Sequence, residues 1–99
     1  MAYAAIAAST LGDNTVVAAT AGKKIQVERF WLTSSGTVNA KWRSGTTDVS
    51  DLAYLVANGG LVCPGSGSEF WVETVAGQAL VLNLSAAVAV GGFVVYELG

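Results

Sequence analysis

Lys24 to Ser44, KIQVERFWLTSSGTVNAKWRS, decides how this chain is read, because it holds two of the three tryptophans and four of the five basic residues. In its second half Val38, Ala40 and Trp42 alternate with Asn39, Lys41 and Arg43. A period of two places apolar groups on one face of a strand and solvated groups on the other. In the first half Ile25 and Val27 alternate with Lys24, Gln26 and Glu28, but Phe30 and Leu32 then follow in the opposite phase, leaving Arg29 and Trp31 on the first face. Such a phase change near Arg29 predicts either a β-bulge or a strand covered on both faces. Between the halves, Ser34-Ser35-Gly36-Thr37 supplies a glycine and backbone-bonding hydroxyls, so the stretch is expected to form a hairpin with a tight turn.

Outward from there the pattern stays that of short strands. Asn14 to Thr20 is rich in β-branched residues, and Ala21-Gly22-Lys23 turns the chain into the central stretch. Tyr3 to Ser9 is read as an initial strand or an extended arm. Val49 to Val56 has mixed spacing, and Asp48 and Asp51 ahead of it are equally suited to opening a short helix, so strand and turn stay open there. Leu61 to Cys63 is a short strand closed by Pro64, and Pro64-Gly65-Ser66-Gly67-Ser68 is a surface loop. Phe70 to Thr74 and Ala79 to Ser85 read as strands, the second with Leu80, Leu82 and Leu84 on one face and Val81 and Asn83 on the other. Gly91-Gly92 is taken as a turn before a last strand, Phe93 to Leu98. Eight or nine short strands set off by glycine turns predict an all-β fold, an antiparallel β-sandwich of jelly-roll type.

At 99 residues the chain is expected to be one domain, 1–99, with 1–10 as an extended N-terminal arm. Hydrophobic residues make up 53% of the sequence and charged residues 12%, about half the usual share of charge, so some apolar surface is expected to be buried by other chains. A net charge of −2 gives no basic field for nucleic acid or an anionic membrane. Lys23, Lys24, Arg29, Lys41 and Arg43 are read as one solvated face. Of these, Lys23, Lys24 and Arg43 are candidates for polar contact with a partner. The single Cys63 excludes an intrachain disulfide, and next to Pro64 it is read as a small buried hydrophobe.

Catalytic chemistry is hard to assemble from these residues. There is no histidine, hence neither the usual general base nor the commonest transition-metal ligand. Glu69 and Glu73 on one strand would lie roughly 13 Å apart, beyond the carboxylate pairs of glycosidases. No cofactor, metal site or catalytic residue is expected, and the chain is read as a non-enzyme. Trp31, Trp42 and Trp71 are the residues for a sugar-stacking platform, against a reading that puts Trp42 in the core and Trp31 and Trp71 at its edge or at a subunit contact.

The order of motifs is also informative. GDNTVVAATAGKKIQV, SSGTVNAKWRSGTT, NGGLVCP and EFWVETVAGQALVLNLSAAVAVGGFVVY, spanning residues 12 to 96, resemble a group of small structural proteins of tailed bacteriophages. Much of the likeness lies in Gly12-Asp13-Asn14, Ala21-Gly22-Lys23, Gly59-Gly60, Ala76-Gly77 and Gly91-Gly92. The resemblance implies a compact β-sandwich that assembles on virions, as capsid decoration (cement) protein or tail-fibre module, with no catalytic residues. The short chain favours decoration, with the major capsid protein and a homo-oligomer of itself as partners, a trimer ahead of a dimer. Expected contact residues are Phe30, Trp31, Trp71, Tyr96, Tyr3 and Ile6, with the arm Ala2 to Ser9 ordering on binding. The alternative is a receptor- or carbohydrate-binding module.

Overall fold

A computed structural model describes residues 2–50, 53–63 and 72–99, the last three of the middle segment by their backbone course. Among the described residues it contains ten strands and no helix. They are β1 Ala2–Ala8, β2 Gly12–Val17, β3 Ile25–Ser34, β4 Val38–Ser44, β5 Thr47–Asp48, β6 Ala53–Leu55, β7 Gly60–Cys63, β8 Val72–Glu73, β9 Leu80–Leu84 and β10 Val90–Leu98. Two five-stranded antiparallel sheets result, β1-β10-β3-β7 with β8 also on β3, and β2-β9-β4-β5 with β6 also on β4. The fold is an all-β sandwich, as the strand periodicity predicts.

The central stretch is not a hairpin. β3 lies in the first sheet and β4 in the second, so the chain arches across the sandwich at Ser34–Thr37. Ser34 donates its hydroxyl to the Gly36 carbonyl, while the Ser34 amide bonds Gly59 O at 2.8 Å and the Ser35 amide bonds Ala89 O at 2.9 Å. Inward residues of the two strands meet across the core instead of pairing by backbone. The rings of Phe30 and Trp42 sit edge to face at 5.2 Å, a favoured aromatic geometry. The core between the sheets is built from Ile25, Val27, Leu32, Leu80, Leu82, Leu84, Val90 and Val94, with Val38, Ala40, Leu55 and Val72 around them.

The phase change in β3 is a bulge. Val95 of β10 pairs with Arg29 and Tyr96 with Val27, so Glu28 is the extra residue. It shifts the inward set from Ile25 and Val27 to Phe30, Leu32 and Ser34, which are buried, and turns Arg29, Trp31 and Thr33 outward, where they are exposed. β10 runs unbroken through Gly91-Gly92, which is therefore not a turn. Gly92 has φ +154°, and a side-chain carbon there would meet Trp31 O at 2.0 Å, so glycine lets the backbones of β10 and β3 approach. The N-terminal segment is not a free arm either, since Ala2 to Ala8 pair in unbroken register with Tyr96 to Val90.

Two buried hydroxyls tie the 74–79 connection to both sheets. Thr74 Oγ1 accepts the Ile25 amide at 2.8 Å. Ser44 Oγ accepts the Val75 amide at 2.9 Å and donates to Gln78 Oε1 at 2.6 Å. The undecided segment near 49–56 contributes the strand β6, pairing Val38, Asn39 and Ala40 with Leu55, Tyr54 and Ala53. Asp51, the 64–68 loop, Glu69, Phe70 and Trp71 lie outside the described residues, as does the Cys63 side chain.

Candidate functional site

Antiparallel register places the outward residues of the first sheet in three rows. Tyr3, Val95 and Arg29 form one row, Ala5, Phe93 and Trp31 the next, and Ala7, Gly91 and Thr33 the third. Trp31 and Phe93 pack edge to face at 5.6 Å. Tyr3 is 80% exposed and Trp31 38%, while Val95, between Tyr3 and Arg29 in its row, is buried. Ala2, Tyr3, Ala5, Arg29, Phe93 and Val95 line a shallow groove of about 590 Å³. Arg29, the charge in these rows, has no ion-pair partner among the described residues. Aromatic residues and arginine are the side chains most enriched in the cores of protein interfaces, where lysine and the acids are depleted.

The outer face of the second sheet is of opposite character. Asp13, Asn83 and Lys41 lie in one row and Thr15, Val81, Arg43 and Asp48 in another. Arg43 Nη1 reaches Asp13 Oδ1 at 2.9 Å and Oδ2 at 3.1 Å, and Arg43 Nε pairs with Asp48 Oδ1 at 2.9 Å. Lys41 Nζ meets Asp48 Oδ2 at 2.9 Å, and the Asn83 amide donates to Asp13 Oδ1 at 2.8 Å. Each charge in this network is met by its opposite within the chain, so this part of the face is polar and self-neutralised, and Tyr54, paired with Asn39, is the exposed aromatic beside it.

These bonds hold both carboxyls below their ordinary value. The Asn83 amide bond is the largest cause at Asp13, followed by burial, which opposes it, and by Arg43. At Asp48 the largest cause is the bond from Lys41, with Arg43 adding to it. A carboxylate whose folded value is depressed contributes stability that is present above its unfolded value, about 3.9, and is lost as pH falls through the folded one. Urea midpoints measured from pH 6 to pH 3 are therefore expected to fall, with most of the loss below about pH 4. In Asp13→Asn/Asp48→Asn the midpoint is lower at pH 6 and the slope shallower; an unchanged slope would contradict this assignment.

The residues singled out from sequence divide between several places. Tyr3 and Trp31 are on the apolar outer face. Phe30, at 5% exposure, and Ile6 point inward and belong to the core. The bulge at Glu28 decides this for Phe30, and the alternation of β1 decides it for Ile6. Tyr96 is half-buried against the core from the inner side, and Trp71 lies outside the described residues. Trp42, at 4% exposure, is a core residue, so it is no part of a sugar-stacking platform. The basic residues do not form one face, because Lys24 and Arg29 belong to the first sheet's side and Lys41 and Arg43 to the second. Lys24 Nζ lies 3.6 Å from Glu73 in an exposed pair, a contact of small energetic weight. Arg43 is committed to Asp13 and Asp48, while Lys23 is exposed and has no ion-pair partner among the described residues.

Phe93, Val95 and Ala5 are the face residues that sequence reading does not single out, and Arg29 enters it as a solvated cation and not as part of this face. Their signal is the phase change at Arg29 together with the alternation Gly91, Phe93, Val95, which becomes visible once Gly91-Gly92 is taken as strand. The chain matches no protein-family model, no curated protein and no solved structure.

Proposed function

We propose that the chain is a virion structural protein that decorates and stabilises a bacteriophage capsid, bridging shell subunits through the outer face of its first sheet. The observation that carries the reading is the aromatic face of Tyr3, Phe93, Trp31 and Arg29, set opposite a polar face that neutralises itself. A chain with this asymmetry has one side prepared for desolvation and one for solvent. The motif order from residue 12 to 96 supports the phage context. Strand order adds to it: β1 pairs β10, β2 pairs β9, β3 pairs β7 and β8, and β4 pairs β5 and β6. With the broken edge strands each counted once, the chain runs out and back as one long eight-stranded ribbon wrapped over two sheets. That is the jelly-roll arrangement common among viral capsid domains.

In this reading the partners are the major capsid protein and further copies of the chain, on the virion surface after assembly in the bacterial cytoplasm. Many modest contacts suffice, because a copy tied to two shell subunits gains effective concentration for its second contact. The function is bridging, with no catalytic step. Co-sedimentation with empty phage shells tests it. Wild type is expected to pellet with shells and raise their melting temperature, Trp31→Lys to bind at least about ten-fold more weakly, and Tyr54→Lys on the opposite sheet to bind as wild type. Absence of shell binding, or equal binding by Trp31→Lys, would overturn the reading.

The alternative, a tail-fibre or receptor- or carbohydrate-binding module, draws on the same outer face, where Tyr3 in the groove and Trp31 beside it offer rings for stacking on sugars. It predicts a tryptophan fluorescence shift on adding glycans that Trp31→Lys removes, without shell binding.

A further inference from the structure

The sheets of the sandwich end at four edges, and three of them carry features that discourage pairing with another chain. Among the described residues β5 and β8 are two residues long, β6 three and β7 four. β2 carries the ion-paired Asp13 and a register shift between Thr15 and Val17. Short, charged or bulged edges are the usual protection against edge-to-edge association. β1 has none of these. It is seven residues long, AYAAIAA, with no charge and no proline, and its register with β10 is unbroken from Ala2 to Ala8. Along its free side the outward-directed amides and carbonyls have no partner strand among the described residues.

We propose that β1 pairs antiparallel with β1 of a second copy, about a two-fold axis at Ala5. The sequence of the strand is the argument for this occupant. Centred on Ala5, the pairing sets Tyr3 against Ala7, Ala4 against Ile6, Ala2 against Ala8 and Ala5 against itself. Each bulky side chain then faces an alanine. Outward residues Tyr3, Ala5 and Ala7 meet outward ones, and Ile6 and Ala8, which are buried, remain on the core side. A one-residue slip would set core-facing positions against outward ones. A two-residue slip leaves two residues at the strand end unpaired, and in one direction places Ile6 on Ile6. The Ala5 register is therefore the two-fold pairing that uses all seven residues, and self-complementarity is what a two-fold contact requires.

The two first sheets become one continuous sheet, and their aromatic outer faces lie side by side on one surface. This names the partner copy's contact within the proposed reading, and gives a dimer where the resemblance leads to a trimer first. The pairing itself does not depend on binding to a shell.

Sedimentation equilibrium of the purified full chain tests it. Ala5 is exposed on the outer face, so lysine or glutamate there is compatible with the folded monomer, which circular dichroism verifies. At the axis the same charge meets itself across the strand pair at about 5 Å. Wild type is expected to be a dimer. Ala5→Lys and Ala5→Glu alone dissociate at least about five-fold more readily at low salt, and an equal mixture of the two re-forms dimer. Trp31→Lys, two strands from the edge, is expected to leave the dimer intact while losing shell binding, which separates failure of this inference from failure of the functional reading. A monomeric or trimeric wild type, an Ala5→Lys dimer as tight as wild type, or a mixture that stays monomeric would overturn it.

Discussion

Gly92→Ala is expected to remove a large part of the stability of the fold. The added carbon would lie 2.0 Å from Trp31 O and 2.8 Å from Leu32 Cα, both backbone atoms of the neighbouring strand, at a residue whose φ is +154°. Nothing at the end of a flexible side chain can move aside, so β3 and β10 must separate where Phe93 pairs with Trp31 and Val94 with Phe30. Backbone strain of about 1–3 kcal/mol and overpacking of about 1–3 kcal/mol add to a loss of roughly 2–6 kcal/mol. A domain of this length is stable by about 5–15 kcal/mol. Gly77→Ala is the control: its φ is +82°, but nothing lies within 4 Å of the new carbon, so only the conformational cost of about 1 kcal/mol is expected. Urea unfolding of the two variants measures the difference, and a Gly92→Ala variant as stable as Gly77→Ala would show that the close approach of the strands is wrong.

Trp42→Ala is expected to cost about 3–5 kcal/mol. Trp42 is 4% exposed and meets Phe30 edge to face at 5.2 Å. Since β3 and β4 belong to different sheets, this pair is a contact between the two layers of the sandwich. Phe30→Ala removes the other half of the same contact, so the two costs are not additive. A double-mutant cycle is expected to give a coupling of about 0.5–1.5 kcal/mol. Had the two strands been a hairpin, Trp42 would sit beside β3 within one sheet, and its loss would leave the packing between layers largely unaltered. A coupling near zero would contradict the cross-core placement.

These two residues also show what the sequence could and could not convey. Alternation of Val38, Ala40 and Trp42 fixes which side of β4 faces the core, and the structure keeps that side inward. It does not say which strand lies alongside, because a hairpin and an arch impose the same period of two. Gly91-Gly92 was ambiguous for a related reason. Glycine marks a turn or a close backbone approach, and the choice depends on β3, sixty residues away in sequence, passing beside it. The phase change at Arg29 is the opposite case, a local irregularity that translates directly into the bulge at Glu28 and turns Trp31 outward.

The candidate face is readable in part. Tyr3 and Trp31 are large aromatics on strands, and their exposure follows from alternation. Phe93 and Val95 are hidden by the reading of the glycines as a turn, and Phe30 and Ile6 are drawn to the wrong side until the bulge and the pairing of β1 with β10 are known. The apparent cluster of basic residues dissolves for the same topological reason that the hairpin does. Lys41 and Arg43 end on the far sheet, where Asp13 and Asp48, distant from each other in sequence, neutralise them.

In the function proposed above, the outer face of the first sheet is the docking face. Hydroxyl-radical footprinting of the free chain and of the chain bound to phage shells tests it most directly, since Tyr3, Trp31, Phe93 and the 76%-exposed Tyr54 are reactive side chains on opposite sides of the sandwich. Docking through the aromatic face predicts that Tyr3, Trp31 and Phe93 become protected on the shell while Tyr54 keeps its reactivity. Protection of Tyr54 with Tyr3 and Trp31 unchanged would contradict it.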